Sequence, residues 1–422
     1  MAPGCASDAE KKALAGLEAF KRCDMREARN QFSEAYSEDS RSDFALAYAL
    51  SDLAVLAEDP ALQPTLKRLG FTADLKTDFL WGQGGVLQRL SEKASCGTIE
   101  ESWRKGIPLA AIQNGGPNFL DAIDASLTVG DVRVALNGIS PRLERIARAL
   151  ETSAKSTESS FELEGGCGVG KSVIQKPELL AMASLIEAFR AGLQALEAYD
   201  GDLNVKVILT NGSAEAEQRA YVDVLNKHLL RVVKPSAMEA SRPMFLRSLD
   251  LASRSAEAVS ATTATPANAL FDWKKLPPAV VLDFKTYLDA AKTGLSSKEQ
   301  TLVPKVSPEM RVSLDSFFAE PFDMGKVGAP IWSVKQYSST PTTPPTPARF
   351  YIATDTLPLE NLLAPRFSAG TFDRTRNYQA PALDALANIT SETWEATLDP
   401  QKRFQGYRCT SSVVTPVPAP PP

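Results

Sequence analysis

The sequence predicts a mainly α-helical protein. Its core is a set of helical hairpins or a bundle, interrupted by a short β-hairpin and followed by an irregular, proline-rich C-terminal segment. Three observations carry this. Apolar residues recur at helical spacing over most of the chain before residue 300. Period-two alternation stands out around residues 160–175. Beyond Leu302 prolines become frequent and the helical period fades. The chain has 422 residues, of which 44% are hydrophobic and 23% charged, enough for a large core and two or three domains. Its net charge of −5 is spread among residues of both signs, unlike the basic stripe of a nucleic-acid binder. No unbroken apolar stretch approaches the ~20 residues of a bilayer span.

The first element is a helical hairpin over residues 8–37, with Cys23-Asp24-Met25 as its turn. Gly16, Ala28, Phe32 and Ala35 follow one another at intervals of 12, 4 and 3 residues. Small residues let two helices approach closely, and a larger one fills the gap. This pattern resembles the tetratricopeptide repeat over about one and a half units. Ala19 stands where the repeat has an aromatic residue, with Phe20 one place late, and Ser40 stands where it has a proline. Residues 43–56 continue with Phe44, Ala47, Tyr48 and Ala49. The resemblance implies stacked helical hairpins presenting a concave surface to a protein partner.

Further helices are expected over residues 74–93, interrupted by glycines at 82–85, and over 98–111 and 118–127. Residues 131–154 read as a helix bent near Pro141. Residues 177–199 are the strongest helix, with a broad apolar stripe from Leu179 to Leu196. Helices at 215–233 and 237–259 precede a linker at 262–268. Val280-Val281-Leu282-Asp283 imitates the magnesium-binding strand of phosphate-loop enzymes. Pro277-Pro278 before it, and Phe284, Tyr287, Leu288 and Ala291 after it, make a helix over 277–293 instead. Short strands are expected at 311–318, 331–336 and 349–353, and a Thr/Pro loop at 341–347. The chain thus divides into an N-terminal tether (1–7), a helical domain (8–261), a helix plus irregular segment packed on the core (269–410) and a disordered tail (411–422).

Residues 165–172, Gly-Gly-Cys-Gly-Val-Gly-Lys-Ser, match the phosphate-loop string GxxxxGK[ST] at Gly165, Gly170, Lys171 and Ser172. A phosphate loop needs a buried hydrophobic strand before it and a long helix starting at its Lys-Ser pair. Here Glu162 and Glu164 precede the glycines, and Pro177 would break the required helix in its second turn. The string reads as a decoy: the turn of a hairpin with strands at 161–164 and 172–175. Pro177 then opens the next helix, with Glu178 behind it.

His228 is the sole histidine, which rules out paired-histidine mechanisms and His-rich metal sites. It reads as a solvated residue on a helix face. Cys5, Cys23, Cys96, Cys167 and Cys409 form no CxxC pair, so no zinc ribbon or redox motif is indicated. Cys5 follows Ala2-Pro3-Gly4, and this Gly-Cys junction resembles the processing site of a bacterial lipoprotein, without the basic and apolar regions of a signal peptide. The resemblance implies a lipid-modified Cys5, with outer-membrane placement implied by Ala6. The other reading is an arbitrary cytoplasmic N-terminus. Cys23, Cys96, Cys167 and Cys409 are disulfide candidates, with three possible connectivities and Cys409 placed to staple the C-terminal segment. That segment is rich in aromatics, among them Trp332, Tyr351, Trp394 and Tyr407, which suit either partner or carbohydrate recognition or anchoring onto the helices.

The expected function is a non-enzymatic scaffold or binding lipoprotein of the bacterial cell envelope. It would have a protein partner, membrane contact through the lipid anchor only, and no cofactor, metal or nucleic acid. Two alternatives stand beside it: a small-solute receptor or transport-associated component with a ligand-sized pocket, and a phosphate-loop nucleotide enzyme using the 165–172 string.

Overall fold

The computed structural model describes residues 7–22, 24–69, 123–156, 160–163, 172–209, 215–263, 266, 269, 271–297, 301–302, 311–327, 332–336, 350–354, 391–398 and 404–413. Local signals set the helix starts. Helix α1 (Asp8–Lys21) opens on Ser7, whose hydroxyl accepts from the Glu10 amide while the Glu10 carboxylate accepts from the Ser7 amide. Helix α2 (Met25–Glu38) opens on Asp24, whose carboxylate accepts from the Glu27 amide. Helices α3 (Ser42–Ala54) and α4 (Gln63–Arg68) follow. The bent helix expected over 131–154 is two helices, α5 (Val129–Gly138) and α6 (Ser140–Ser153). Pro141 lacks an amide hydrogen, so it starts the second helix rather than continuing the first. Strands β1 (Ser160–Leu163) and β2 (Ser172–Gln175) pair antiparallel, Leu163 opposite Ser172, so the expected hairpin is present. Helix α7 (Lys176–Leu196) begins immediately after it. Then come α8 (Val205–Leu209), α9 (Glu215–His228), α10 (Pro235–Ala261), α11 (Pro278–Ser296) and α12 (Leu314–Ala319).

Among the described residues, seven helices form an antiparallel series: α1, α2, α3, α6, α7, α10 and α11. Each packs chiefly on the member before and the member after. Ion pairs and hydrogen bonds join successive members. Lys12 on α1 reaches Glu34 and Glu38 on α2. Arg29 on α2 pairs with Asp52 on α3. The α3 residues Ser42 and Asp52 meet Ser153 and Arg142 on α6. Glu144 on α6 pairs with Arg190 on α7. Glu257 and Asp250 on α10 pair with Lys285 and Lys292 on α11. One core runs through the series, from Ala19, Phe32 and Ala49 through Ile146 and Leu150 to Leu179, Leu180 and Leu251. Fully burying a leucine of this kind stabilises the fold by about 1.5–3 kcal/mol.

Small residues set the closest approaches. A Cβ on Gly16 would stand 2.7 Å from ring carbons of Phe32, so only glycine admits that ring. Between α7 and α10 the Ser184 hydroxyl donates to the Ser248 carbonyl (2.8 Å), and the Ser248 hydroxyl donates back to the Ser184 carbonyl (2.9 Å). Ser255 donates likewise to the Pro177 carbonyl (2.8 Å). Helix α7 has the length and apolar composition of a membrane span, yet half of that stretch is buried inside the series and it carries buried Glu178, Glu187 and Arg190. It is the central layer of the core.

Among its described residues the C-terminal segment holds three antiparallel strand pairs. Strand β3 (Thr301–Leu302) pairs with β4 (Arg311–Val312), β5 (Trp332–Gln336) with β6 (Phe350–Thr354), and β7 (Ser391–Leu398) with β8 (Phe404–Val413), all antiparallel. The strand expected over 311–318 stops at Val312. The rest is α12, where the Phe318 ring meets Phe245 edge-on and lies under Arg242 of α10. Tertiary contact overrides the β preference of its aromatic residues. Residues 123–127, the described end of the helix expected at 118–127, form a turn. The helices expected at 74–93 and 98–111 lie outside the described residues.

Candidate functional site

Of the phosphate-loop string, Ser172 is described; Gly165, Gly170 and Lys171 lie outside the described residues. Ser172 stands in β2, opposite Leu163, rather than at a helix start. The following helix begins only at Lys176, and the amide of its N-cap residue Gln175 is engaged locally. The Glu178 carboxylate accepts from the Gln175 amide (3.1 Å) and lies near the Gln175 side-chain amide. Burial pushes the Glu178 carboxyl above its usual range, against the backbone amides of Glu178 and Gln175 that favour its charge. A helix start closed by its own carboxylate is a poor cradle for a triphosphate.

His228 is a correction to the sequence reading. It is half-buried at the end of α9, and its Nδ1 lies 2.6 Å from the Asp200 carboxylate. Asp200 and its neighbours bind the same stretch through the backbone. Its amide donates to the Arg231 carbonyl (2.7 Å), and the Val233 amide donates to the Ala198 carbonyl (2.8 Å). Burial would raise the Asp200 carboxyl, but the Asp202 amide, His228 and Arg133 outweigh it and hold it below the usual range. Asp202 brings a third ligand-type atom within 4.8 Å of the other two. With His228 Nδ1 committed to Asp200 and Asp202 exposed, the group acts as a clasp between residues 198–204 and the end of α9. Asp200 lies 28 residues from His228, so no local motif announced the pair.

A buried ionic network runs through the middle of the helix series. Asp52, fully buried, accepts from Arg142 (2.7 and 2.9 Å), Arg29 (3.0 Å) and the Tyr48 hydroxyl (3.1 Å). Burial opposes the charge on Arg142, but Asp52 and Asp59 more than restore it. Further along, Glu187 is paired with Arg190 (2.6 Å) and Arg247 (3.1 Å), and Glu151 with Arg247 and Arg254. Within it, Glu187 Oε1 and Arg247 Nε face each other as an ion pair without hydrogen-bond geometry. Together these groups join α2, α3, α6, α7 and α10.

The open surface is different. On α11, Val281, Lys285, Leu288, Lys292 and Leu295 turn toward the core side at intervals of three and four. Val280, Phe284 and Tyr287 form a neighbouring row that is 50%, 50% and 44% exposed, and Leu282 is 65% exposed. On α7, Leu185, Phe189 and Leu196 form a second open row. The sequence reading placed Phe189 and Leu196 of the second row in the broad apolar stripe of the helix over 177–199. In the C-terminal segment Trp332 packs with Met324, Phe322 and Leu230, and its backbone exchanges two hydrogen bonds with the Asn226 side chain. Cys5, Cys23, Cys96 and Cys167 lie outside the described residues, and Cys409 is placed only as a strand position in β8 opposite Trp394.

No protein family, curated protein or solved structure matches this chain.

Proposed function

We propose that this chain is a non-enzymatic binding or scaffolding protein of the bacterial cell envelope that engages a protein partner. The observation that carries this reading is the antiparallel helix series with one continuous core. Such one-dimensional stacks bury their core between successive members and leave long open faces for partners. The Gly16–Phe32 contact, with Ala28 and Ala35 fully buried, supports the resemblance to a tetratricopeptide hairpin. The exposed rows on α7 and α11 supply apolar surface of the kind that marks contact sites. Envelope placement and a lipid anchor on Cys5 rest on the Gly4-Cys5 junction alone.

Photo-crosslinking residues placed at 189 and 284, and at 11 and 18 on the outer face of α1, test the partner surface in the native host. One adduct of defined mass from 189 or 284, and none from 11 and 18, is expected. Absence of adducts, or the same adducts from all four positions, would remove the proposal. Mass spectrometry of the mature N-terminus tests the anchor, and an unmodified Met1 peptide would end that part.

A further inference from the structure

A half-open cleft of about 530 Å³ lies where the ends of α6 and β2, the first turn of α7 and the last turns of α10 meet. That volume is within the roughly 300–1,000 Å³ of small-molecule sites. Its apolar side is built by Ala154, Pro177, Leu180 and Ala258. Its charged lining comes from Lys155, Lys176, Arg254 and Glu257. Two of these charges are already neutralised. Arg254 is bonded to Glu151 (2.7 Å), and Glu257 is paired with Lys285 (3.4 Å). Lys155 and Lys176 form no side-chain hydrogen bond or ion pair with any described residue. The cleft therefore combines an apolar wall with two ammonium groups that no described residue neutralises.

We propose that this cleft binds a small amphipathic anion. An anionic head, a carboxylate or a phosphate monoester, sits between Lys155 and Lys176, and an aliphatic body lies along Pro177, Leu180 and Ala258. A cation is repelled by the two lysines. A polyphosphate is disfavoured because the Glu178 carboxylate closes the helix start. A neutral alcohol of the same length gains the wall and forgoes the lysines. The site does not depend on the scaffold reading.

The test is isothermal titration of the full chain with decanoate, decyl phosphate and decanol. Saturable one-to-one binding of at least one anion is expected, with decanol about tenfold weaker. Replacing both Lys155→Glu and Lys176→Glu should weaken the anion by about tenfold or more, while Lys11→Glu on α1 should not. Ala261→Trp, placed at the lining end of α10, should fill the cleft and abolish binding. Circular dichroism checks that each variant keeps its helices. Should a variant misfold, the wild-type chain still decides: raising ionic strength from about 0.05 to about 0.5 M should weaken the anion and leave decanol unchanged. Tighter binding of decanoate identifies a free fatty carboxylate as the source, and tighter binding of decyl phosphate a phosphate-headed lipid. Absence of saturable binding by either anion, decanol binding as tightly as the better anion, or full affinity in both cleft variants would overturn the proposal.

Discussion

The two ends of the helix series are finished differently. The outer face of α1 carries Asp8, Lys11, Glu18 and Lys21, with Leu14 as its single large exposed apolar residue. At the other end, α11 leaves Val280, Leu282, Phe284 and Tyr287 open. A stacked array needs a polar terminal face to stay apart from its neighbours. The first end has one and the last does not. In the middle the pattern is reversed, since Asp52 and Glu187 are charged and fully buried. Charge lies inside where partners are supplied by the chain itself, and apolar surface lies outside where the described residues supply none.

Four measurements would break or sharpen this contrast. The largest effect is expected at the centre. Asp52→Ala removes the shared acceptor of Arg29, Arg142 and Tyr48 and leaves the buried Arg142 with Asp59 alone. Urea unfolding should show a loss of about 3–5 kcal/mol. A loss below about 1 kcal/mol would mean that the centre is wet or loosely packed.

Next comes the polar end. Gly16→Val would drive its side chain into the Phe32 ring and force α1 and α2 apart. A destabilisation of about 1–3 kcal/mol is expected from the same unfolding experiment. An unchanged midpoint would show that the α1–α2 contact is not made in solution.

A smaller, pH-dependent effect belongs to Glu178. Its folded carboxyl is raised above the usual 4.5 by burial. The folded state therefore holds that proton more tightly than the unfolded chain, so stability falls as pH rises from the unfolded value through the folded one. Glu178→Gln should flatten this fall, giving a variant less penalised at neutral pH than in acid. Parallel stability–pH curves for the two proteins would refute the assignment.

The smallest effect on stability is expected at the open end. Phe284→Ser should change stability by no more than about 0.5 kcal/mol, because that ring is half exposed. The same substitution should abolish any adduct captured through position 189 or 287 if the apolar rows serve one partner. A loss of several kcal/mol would show that the ring is covered by the chain itself.

Much of the architecture was legible in the sequence because it is written locally. The broad apolar stripe of α7, the Pro-Glu start at 177–178 and the alternation around 160–175 each specify their element within a few residues. Pro277-Pro278 likewise separated a helix from an imitation of a magnesium-binding strand, and α11 opens at Pro278. What escaped is written across distance. Asp52 and Arg142 are 90 residues apart, and Arg254 and Glu151 are 103 apart, so no window contains both partners. The sequence reading followed the apolar stripe of α7 and passed over Glu187 and Arg190, which lie buried in the same helix. His228 was read as solvated for the same reason, with Asp200 hidden behind the intervening α8 and most of α9. The strand expected at 311–318 failed because α10 offers Phe245 and Arg242 to the Phe318 ring.

The reciprocal serine bonds between α7 and α10 have a mechanical meaning. Pro177 with Ser255 and Ser184 with Ser248 fall on one antiparallel register, and Glu197 with Lys234 lies within one residue of it. Sliding one helix past the other by a single residue, about 1.5 Å, would part all three pairs together. The two helices therefore resist shear as one beam, roughly 30 Å long over the span of α7. A load applied to α11 meets that beam directly, because α11 packs on α10.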